Sequence, residues 1–322
     1  MRFVVFGAGA IGGVTGARLH QGGHDVVLIA RGAHRDAIAA NGLTLRTPAE
    51  SVMLDIPVAG DPQDIVWRGD DVVLLATKSQ DTSGAIDALR SALPNHHVPI
   101  VCLQNGVANE RNVLRYFENV YAVPVMCPTS HLEPGIVQAS SVPVTGIYDI
   151  GRYPTGTDAT CEEVAAAFGA STFVSEVRAD VMRWKWSKLI MNLGNSVQAM
   201  CAPSDAASEL VARARREATG ILRAAGIDFA SSAEDAERRG DILKPGTIDG
   251  QPRSGGSSWQ SLARRSGSIE TDYLNGEIVL VARLHGGSAP VNALLQRAAK
   301  AAAERHAAPG SVDAAPLLAQ LR

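Results

Sequence analysis

No apolar run in the chain reaches the roughly 18 residues that a membrane-spanning helix requires. The first residues also lack the basic stretch followed by an apolar one that marks a secretory leader, so a cytoplasmic location is expected. Neither sign of charge is in excess: Lys plus Arg number 30 against 33 Asp plus Glu, a formal net charge of −3. Without a basic field, nucleic acid and anionic membrane surfaces are excluded as partners in favour of a small molecule. Cysteine is scarce, and Cys102, Cys127, Cys161 and Cys201 form no CxxC or Cys/His cluster. That excludes a zinc site and a disulfide framework and leaves apolar thiols in a reducing compartment. No low-complexity tract prevents a core from forming. At 322 residues, 46% of them hydrophobic, the chain exceeds what a single core usually supports, and two domains are expected.

The first half alternates short β-branched runs with helical patterns. Arg2–Phe6, Asp25–Ala30, Asp71–Thr77, Pro99–Leu103 and Val120–Val125 read as strands, and Ile11–His20 and Asp81–Leu93 as helices. Such alternation implies a doubly wound, mostly parallel sheet. Leu43–Arg46, Val52–Leu54 and Val137–Ile150 read as extended segments on that sheet's edge. From Cys161 onward helical periodicity dominates: 161–169, 181–200, 206–225, 257–262, 268–285 and 291–305. The expected architecture is an α/β N-terminal Rossmann-type domain over 1–178 and an all-α C-terminal domain over 179–322. The stretch Lys244 to Ser258, rich in Gly, Pro and Ser, reads as a loop, either at the plain surface or over the active site.

Gly7-Ala8-Gly9-Ala10-Ile11-Gly12 follows the first strand and opens a helix, the context that makes this glycine pattern specific for a dinucleotide. Gly7 permits the tight turn, Gly9 lets backbone approach a pyrophosphate, and Gly12 allows helix to pack on strand. Some 20 residues further on, where an NAD site places a carboxylate on the ribose 2′-hydroxyl, stand Ile29-Ala30-Arg31. A guanidinium there suits a 2′-phosphate, with His34 or Arg35 as helpers, so NADP(H) is the expected cofactor.

Ligands gather beyond the carboxyl ends of strands in open α/β sheets. Lys78 and Asn105 stand at two such ends, where a strand-terminating turn is the alternative reading. Further along, Lys188, Asn192 and Asn195 are spaced i, i+4 and i+7, with Ser196 at i+8. Continuous helix would put them on one stripe, either a solvated face or the polar lining of a site.

Taken together, these segments resemble the ketopantoate reductase (2-dehydropantoate 2-reductase) family over nearly the whole chain. The resemblance rests on Gly7–Gly13 with Arg31, Ala76-Thr77-Lys78, Leu103-Gln104-Asn105-Gly106, Pro134-Gly135-Ile136-Val137, Trp186-Ser187-Lys188-Leu189 through Asn192, and Glu270-Thr271-Asp272-Tyr273-Leu274-Asn275-Gly276. It implies NADPH-dependent reduction of a 2-oxo acid, 2-dehydropantoate first among them, with Lys188 as general acid and Glu270 beside cofactor ribose and substrate. It further implies Gly7, Ala8, Gly9, Ala10, Ile11, Gly12, Arg31, Lys78 and Asn105 at the cofactor, and Asn105, Asn192, Ser196 and Ser258 at the substrate.

Three positions depart from the family's pattern: Ser196 and Gly255 stand for asparagines, and Ser261 for an aspartate. They thin the groups that would read the substrate's distal hydroxyl while leaving the hydride and proton machinery. A related 2-oxo acid or imine reductase and a non-catalytic NADPH sensor are the alternatives. Lys188 together with Glu270 favours an enzyme, since a sensor needs no proton donor. A homodimer is left open.

Overall fold

The computed structural model describes residues 1–321, and the chain divides into two compact units. The first comprises Met1–Lys185 and Ser232–Arg253, the second Trp186–Ser231 and Ser254–Arg322. A single cut near residue 178 does not capture this division, because the segment Ser232–Arg253 belongs with the first unit. Asp149, 2% exposed, explains the attachment: its carboxylate accepts from Arg178 Nε at 2.7 Å and from Arg238 Nη2 at 2.6 Å.

In the first unit the elements run β1 (Arg2–Phe6), α1 (Ala10–Gln21), β2 (Asp25–Ile29), α2 (Gly32–Asn41), β3 (Leu43–Arg46), β4 (Ser51–Leu54), β5 (Val58–Ala59), β6 (Asp71–Leu75), α3 (Thr82–Ala92), β7 (Ile100–Cys102), α4 (Asn109–Leu114) and β8 (Val120–Ala122). There follow β9 (Thr129–Ser130), β10 (Ile136–Ala139), β11 (Gly146–Ile147), β12 (Gly151–Arg152), α5 (Ala159–Ala170) and β13 (Phe173–Val174). Helix α6 (Val181–Asn192) crosses from the first unit into the second.

Among the described residues the main sheet has seven strands in the order β12-β8-β7-β6-β1-β2-β5, all parallel except β12. Apart from their first residues Arg2, Asp25 and Asp71, its interior strands β1, β2, β6, β7 and β8 are apolar, as strands covered on both faces are. In β1, Phe3 and Val5 join the cluster on one face with Val14, Ala17 and Leu28, while Val4 and Phe6 join the other with Ile86 and Leu89 of α3. Period-two alternation thus serves two cores. The doubly wound, mostly parallel sheet expected from sequence is present.

The extended segments Leu43–Arg46 and 52–54 do form strands, but not on that sheet's edge. They build a separate four-stranded sheet, β4-β3-β10-β9, in which β3 pairs in parallel with β10 through Thr44 and Ile136. Part of the expected Val137–Ile150 edge segment lies here too, in β10; alternation specifies a strand's face but not its neighbour.

The second unit is helical: the rest of α6, then α7 (Asn195–Met200), α8 (Asp205–Ala224), α10 (Ser257–Ala263), α11 (Asn275–Leu284), α12 (Pro290–Glu304) and α13 (Ala314–Ala319), with α9 (Ser232–Arg239) lying in the first unit. Helix α8 begins at Ser204, whose hydroxyl accepts from Ala207 N–H at 3.2 Å. It buries Ala207, Leu210, Ala214, Ala218 and Leu222, the helical spacing of one apolar stripe. Glu217 on α8 in turn accepts from the N–H groups of Val291 and Asn292, both at 2.9 Å, and so caps α12. No helix among the described residues is long and apolar enough to cross a membrane.

Candidate active site

Because β2, β1, β6 and β7 are adjacent and parallel, the segments that follow them leave from one edge of the sheet. That edge carries the glycine turn after β1, Arg31 after β2, Lys78 after β6 and Asn105 after β7. The chain passes from β1 to β2 on one side and to β6 on the other, so the glycine turn lies at the topological switch point, where ligands of such sheets bind.

Three glycines of the turn serve different physical needs. Gly7 has φ +102°, and a Cβ there would meet Thr77 N at 2.9 Å, so the turn lies directly against the Ala76-Thr77 backbone. At Gly12 a Cβ would lie 2.1 Å from the Gly7 carbonyl oxygen, which only glycine avoids. At Gly9, the N-cap of α1, a Cβ would meet nothing among the described residues within 4 Å. Gly9 is therefore not needed for packing. Its bareness leaves open space over the first turn of a 12-residue helix whose N-cap has no side chain, a donor-rich, electropositive end suited to phosphate.

Arg31 is exposed, is the N-cap of α2, and forms no ion pair among the described residues. Arg35, by contrast, donates from Nε to Asp36 at 2.9 Å. His34 is tied to the glycine turn instead of standing free beside Arg31. Gly135 N–H donates to His34 Nδ1 at 2.9 Å, so the ring proton is on Nε2, which donates to the Ala8 carbonyl at 2.7 Å. Both nitrogens are thus used by backbone, and the ring lies 4.1 Å from that of His131. Burial pushes the His34 imidazolium down from its ordinary value despite the Ala8 carbonyl.

Lys78 is half-buried and Asn105 likewise. Their two turns are joined by a buried polar network that local sequence did not reveal. Gln104 Nε2 donates to the Thr77 carbonyl at 3.0 Å and to Thr82 Oγ1 at 2.8 Å. Asn109 Nδ2 donates to the Asn105 carbonyl at 3.0 Å and to Ser79 Oγ at 3.1 Å. Lys185 Nζ donates to the Gln104 carbonyl at 3.0 Å and pairs with Glu110. Sequence reading missed Lys185, because a lysine between two tryptophans three residues before Lys188 carries no local sign of burial.

In the second unit the four-residue stripe is not on one helix. Helix α6 ends at Asn192, and α7 starts at Asn195 after Gly194, whose missing side chain admits Val211 of α8: a Cβ would lie 3.0 Å from it. Lys188, half-buried, and Asn192, 7% exposed, keep their i, i+4 relation. Ser196 is 2% exposed, and its hydroxyl donates to Asn275 Oδ1 at 3.0 Å, while Asn275 Nδ2 donates to the Leu193 carbonyl and to Asn292 Oδ1. That places Ser196 within a buried amide network of this unit. Ser257 and Ser258 form the first turn of α10, as the helical pattern over 257–262 predicts, so the loop ends before them. Ser257 Oγ donates to Glu270 Oε2 at 3.4 Å, and Ser258 and Glu270 are 4% and 5% exposed. Gly255 gains a reason here too: a Cβ on it would meet Cγ of Trp259 at 2.5 Å.

A switch-point glycine turn on a doubly wound sheet, followed by a helical unit carrying a lysine and an asparagine one turn apart, defines a Rossmann-type oxidoreductase with an appended α-domain. Residues 3–154 match the family model described as ketopantoate reductase PanE/ApbA, and residues 180–303 match that of its C-terminal region. The 2-dehydropantoate 2-reductase of Pyrococcus horikoshii is 28% identical over 309 residues, covering 94% of this chain and 97% of that one. A crystal structure of a PanE/ApbA family ketopantoate reductase from Ralstonia eutropha JMP134 is 29% identical, with a TM-score of 0.79, and covers 95% of this chain and 99% of that one. The ternary structure of a D-mandelate dehydrogenase with NADH and anilino(oxo)acetate, 21% identical over the same shares of the two chains, has a TM-score of 0.80 and shares the fold. The chain belongs to the ketopantoate reductase family, an oxidoreductase family.

Proposed function

We propose that this chain reduces a small 2-oxo acid to the 2-hydroxy acid with NADPH, 2-dehydropantoate being the leading substrate. The open space over Gly9 at the start of α1 carries the reading: a backbone cradle that packing does not require and that a pyrophosphate fits. Gly7 to Gly12, Lys78 and Asn105 would hold the cofactor. Arg31, exposed and without a carboxylate partner among the described residues, supports NADP over NAD, because a guanidinium matches a 2′-phosphate bidentately. When bound, the reduced nicotinamide supplies the hydride.

The remaining chemistry falls to the chain's own side chains. Charge accumulates on the substrate's carbonyl oxygen as its carbon is reduced, and a protonated Lys188 stabilises that charge and delivers the proton. Asn192, one turn further along α6, offers an amide that can orient the same oxygen or its neighbouring carboxylate. Ser258, in the first turn of α10, is suited to the carboxylate, and Glu270, held by Ser257, to a hydroxyl. Ser196 serves this set by fixing Asn275 and the α6–α7 junction.

A second reading, a related 2-oxo acid with an apolar distal end, is favoured by Gly255 and Trp259, where an indole occupies the volume beside a missing side chain. A screen of NADPH oxidation with 2-dehydropantoate and a series of branched and aryl 2-oxo acids tests both readings. Turnover of 2-dehydropantoate supports the first, and preference for aryl or aliphatic acids the second. Tight NADPH binding with no oxidation by any acid refutes both in favour of a sensor.

A further inference from the structure

Lys185 and Glu110 are 2% and 0% exposed, and they are an unexpected pair for an interior. Removing two charges from water costs about as much as their attraction returns, so apolar residues of similar size would serve stability as well or better. A pair that stability does not require leaves room for a role that apolar residues cannot fill. An ammonium has three donors, and Lys185 uses two of them differently: one on Glu110 Oε1 and one on the carbonyl oxygen of Gln104. The second oxygen of Glu110, Oε2, has no hydrogen-bond partner among the described residues, so Lys185 is the side chain that compensates this carboxylate.

The Gln104 carbonyl is the last before Asn105. The next carbonyl, that of Asn105 itself, accepts from Asn109 Nδ2 at 3.0 Å and from Ser79 Oγ at 3.3 Å. Gly106, at φ +80°, then turns the chain toward α4, the helix that carries both Asn109 and Glu110. Two successive peptide planes are therefore held by side chains from α4, α6 and the turn after β6. We infer that the buried Lys185–Glu110 pair is a positioning device that fixes the backbone of the Asn105 turn, and through it the direction in which Asn105 presents its amide. Lys185 and Glu110 act as positioning residues and touch neither substrate nor cofactor. The inference rests on the reading of Asn105 as a ligand-facing residue.

The test separates position from stability. Lys185→Met strands the Glu110 carboxylate and should lower both Tm and kcat/KM. The double variant Lys185→Met/Glu110→Leu removes both charges and should regain most of the lost Tm, yet leave kcat/KM for the best 2-oxo acid at least tenfold below wild type. Because the Gln104 carbonyl still lacks its donor, amide exchange at Asn105, Gly106 and Val107 should be at least tenfold faster in the double variant, with exchange in β1 and β6 unchanged. Recovery of kcat/KM together with Tm, or unchanged exchange at the turn, overturns the inference. A double variant as unstable as the single one overturns it also, by making the pair a requirement of the core. The exchange readout needs no turnover, so it stands apart from failure of the proposed reaction.

Discussion

Gly9 and Gly12 stand three residues apart in one turn, and adding the same methyl group to each should have opposite effects. At Gly12 the new Cβ would lie 2.1 Å from the Gly7 carbonyl oxygen, 2.9 Å from Ala76 Cβ and 3.0 Å from Val5 Cγ1. The first of these is backbone and cannot swing aside, so α1 must lift from β1. Overpacking of this kind costs about 1–3 kcal/mol, here the upper part of that range, which is a fall in Tm of roughly 4–12 °C at about 2–4 °C per kcal/mol. At Gly9 the methyl meets no neighbour, and φ is −71°, an angle alanine accepts. Gly9→Ala should therefore keep its Tm or gain about 0.4–1 kcal/mol of stability through the unfolded chain. At the proposed cofactor site, however, its methyl would stand where a pyrophosphate approaches backbone. NADPH affinity should fall at least tenfold, about 1.4 kcal/mol. Thermal melts and fluorescence titration with NADPH on the two variants decide it. A Gly9→Ala variant that binds NADPH like the wild type removes the glycine turn from the cofactor site; one that melts well below it refutes the packing argument.

Arg31→Ala should raise KM for NADPH far more than for NADH, since only the former loses a charge-assisted contact of about 1.5–3 kcal/mol; equal effects detach Arg31 from the phosphate. Lys188→Ala should leave NADPH affinity nearly intact while kcat falls about 10²–10⁴-fold; near wild-type kcat makes Lys78 or water the donor. His34 should give the first unit an acid-sensitive stability. Its imidazolium is disfavoured in the fold, so the unfolded chain binds the extra proton first, and the contribution, complete above pH of about 6.5, is lost as pH falls toward the lower folded value. Melts between pH 7.5 and 5 should show a shallower acid-side loss in His34→Gln than in the wild type, and equal slopes assign the effect elsewhere, with His131 the neighbouring group to examine.

The parts of the fold legible in sequence are those whose signal is local. A β-branched run, three glycines at fixed spacing and a helical pattern specify β1, the turn and α1 because each residue's reason lies within a few positions of it. The strand ends at Lys78 and Asn105 were legible in the same way. What failed depends on partners far along the chain. The extended character of β3 was visible, but not that it pairs with β10 instead of the main sheet. Helix α2 buries only Ile38, so it shows hardly any apolar stripe. The polar stripe from Lys188 to Ser196 assumed a continuous helix, whereas the helix is interrupted at Leu193–Gly194, and at Gly194 a side chain would press on Val211 of α8. Lys185 lies 75 positions from Glu110, and nothing near either residue announces the other.

Two of the positions that depart from the resembled pattern are tightly packed in this chain. Gly255 and Trp259 form a pair: with Cγ, Cδ2 and Cβ of the tryptophan all within 2.8 Å of where a Cβ on residue 255 would stand, an asparagine cannot return to 255 while the indole keeps its place. Ser196 is likewise committed, donating to Asn275, which is bound in turn to Asn292. In this chain, residue 255 thus lies against an aromatic surface on α10, and residue 196 faces inward. Buried polar groups reject ligands that leave them unpaired far more strongly than apolar surfaces reject ligands of the wrong polarity. If the proposed reaction holds, serine and glycine at 196 and 255 should weaken discrimination in favour of a distal hydroxyl, while Lys188, Asn192 and Ser258 would act on the 2-oxo acid group itself. On the proposed reaction, the choice among 2-oxo acids would then be set at the distal contact and not by the hydride and proton chemistry.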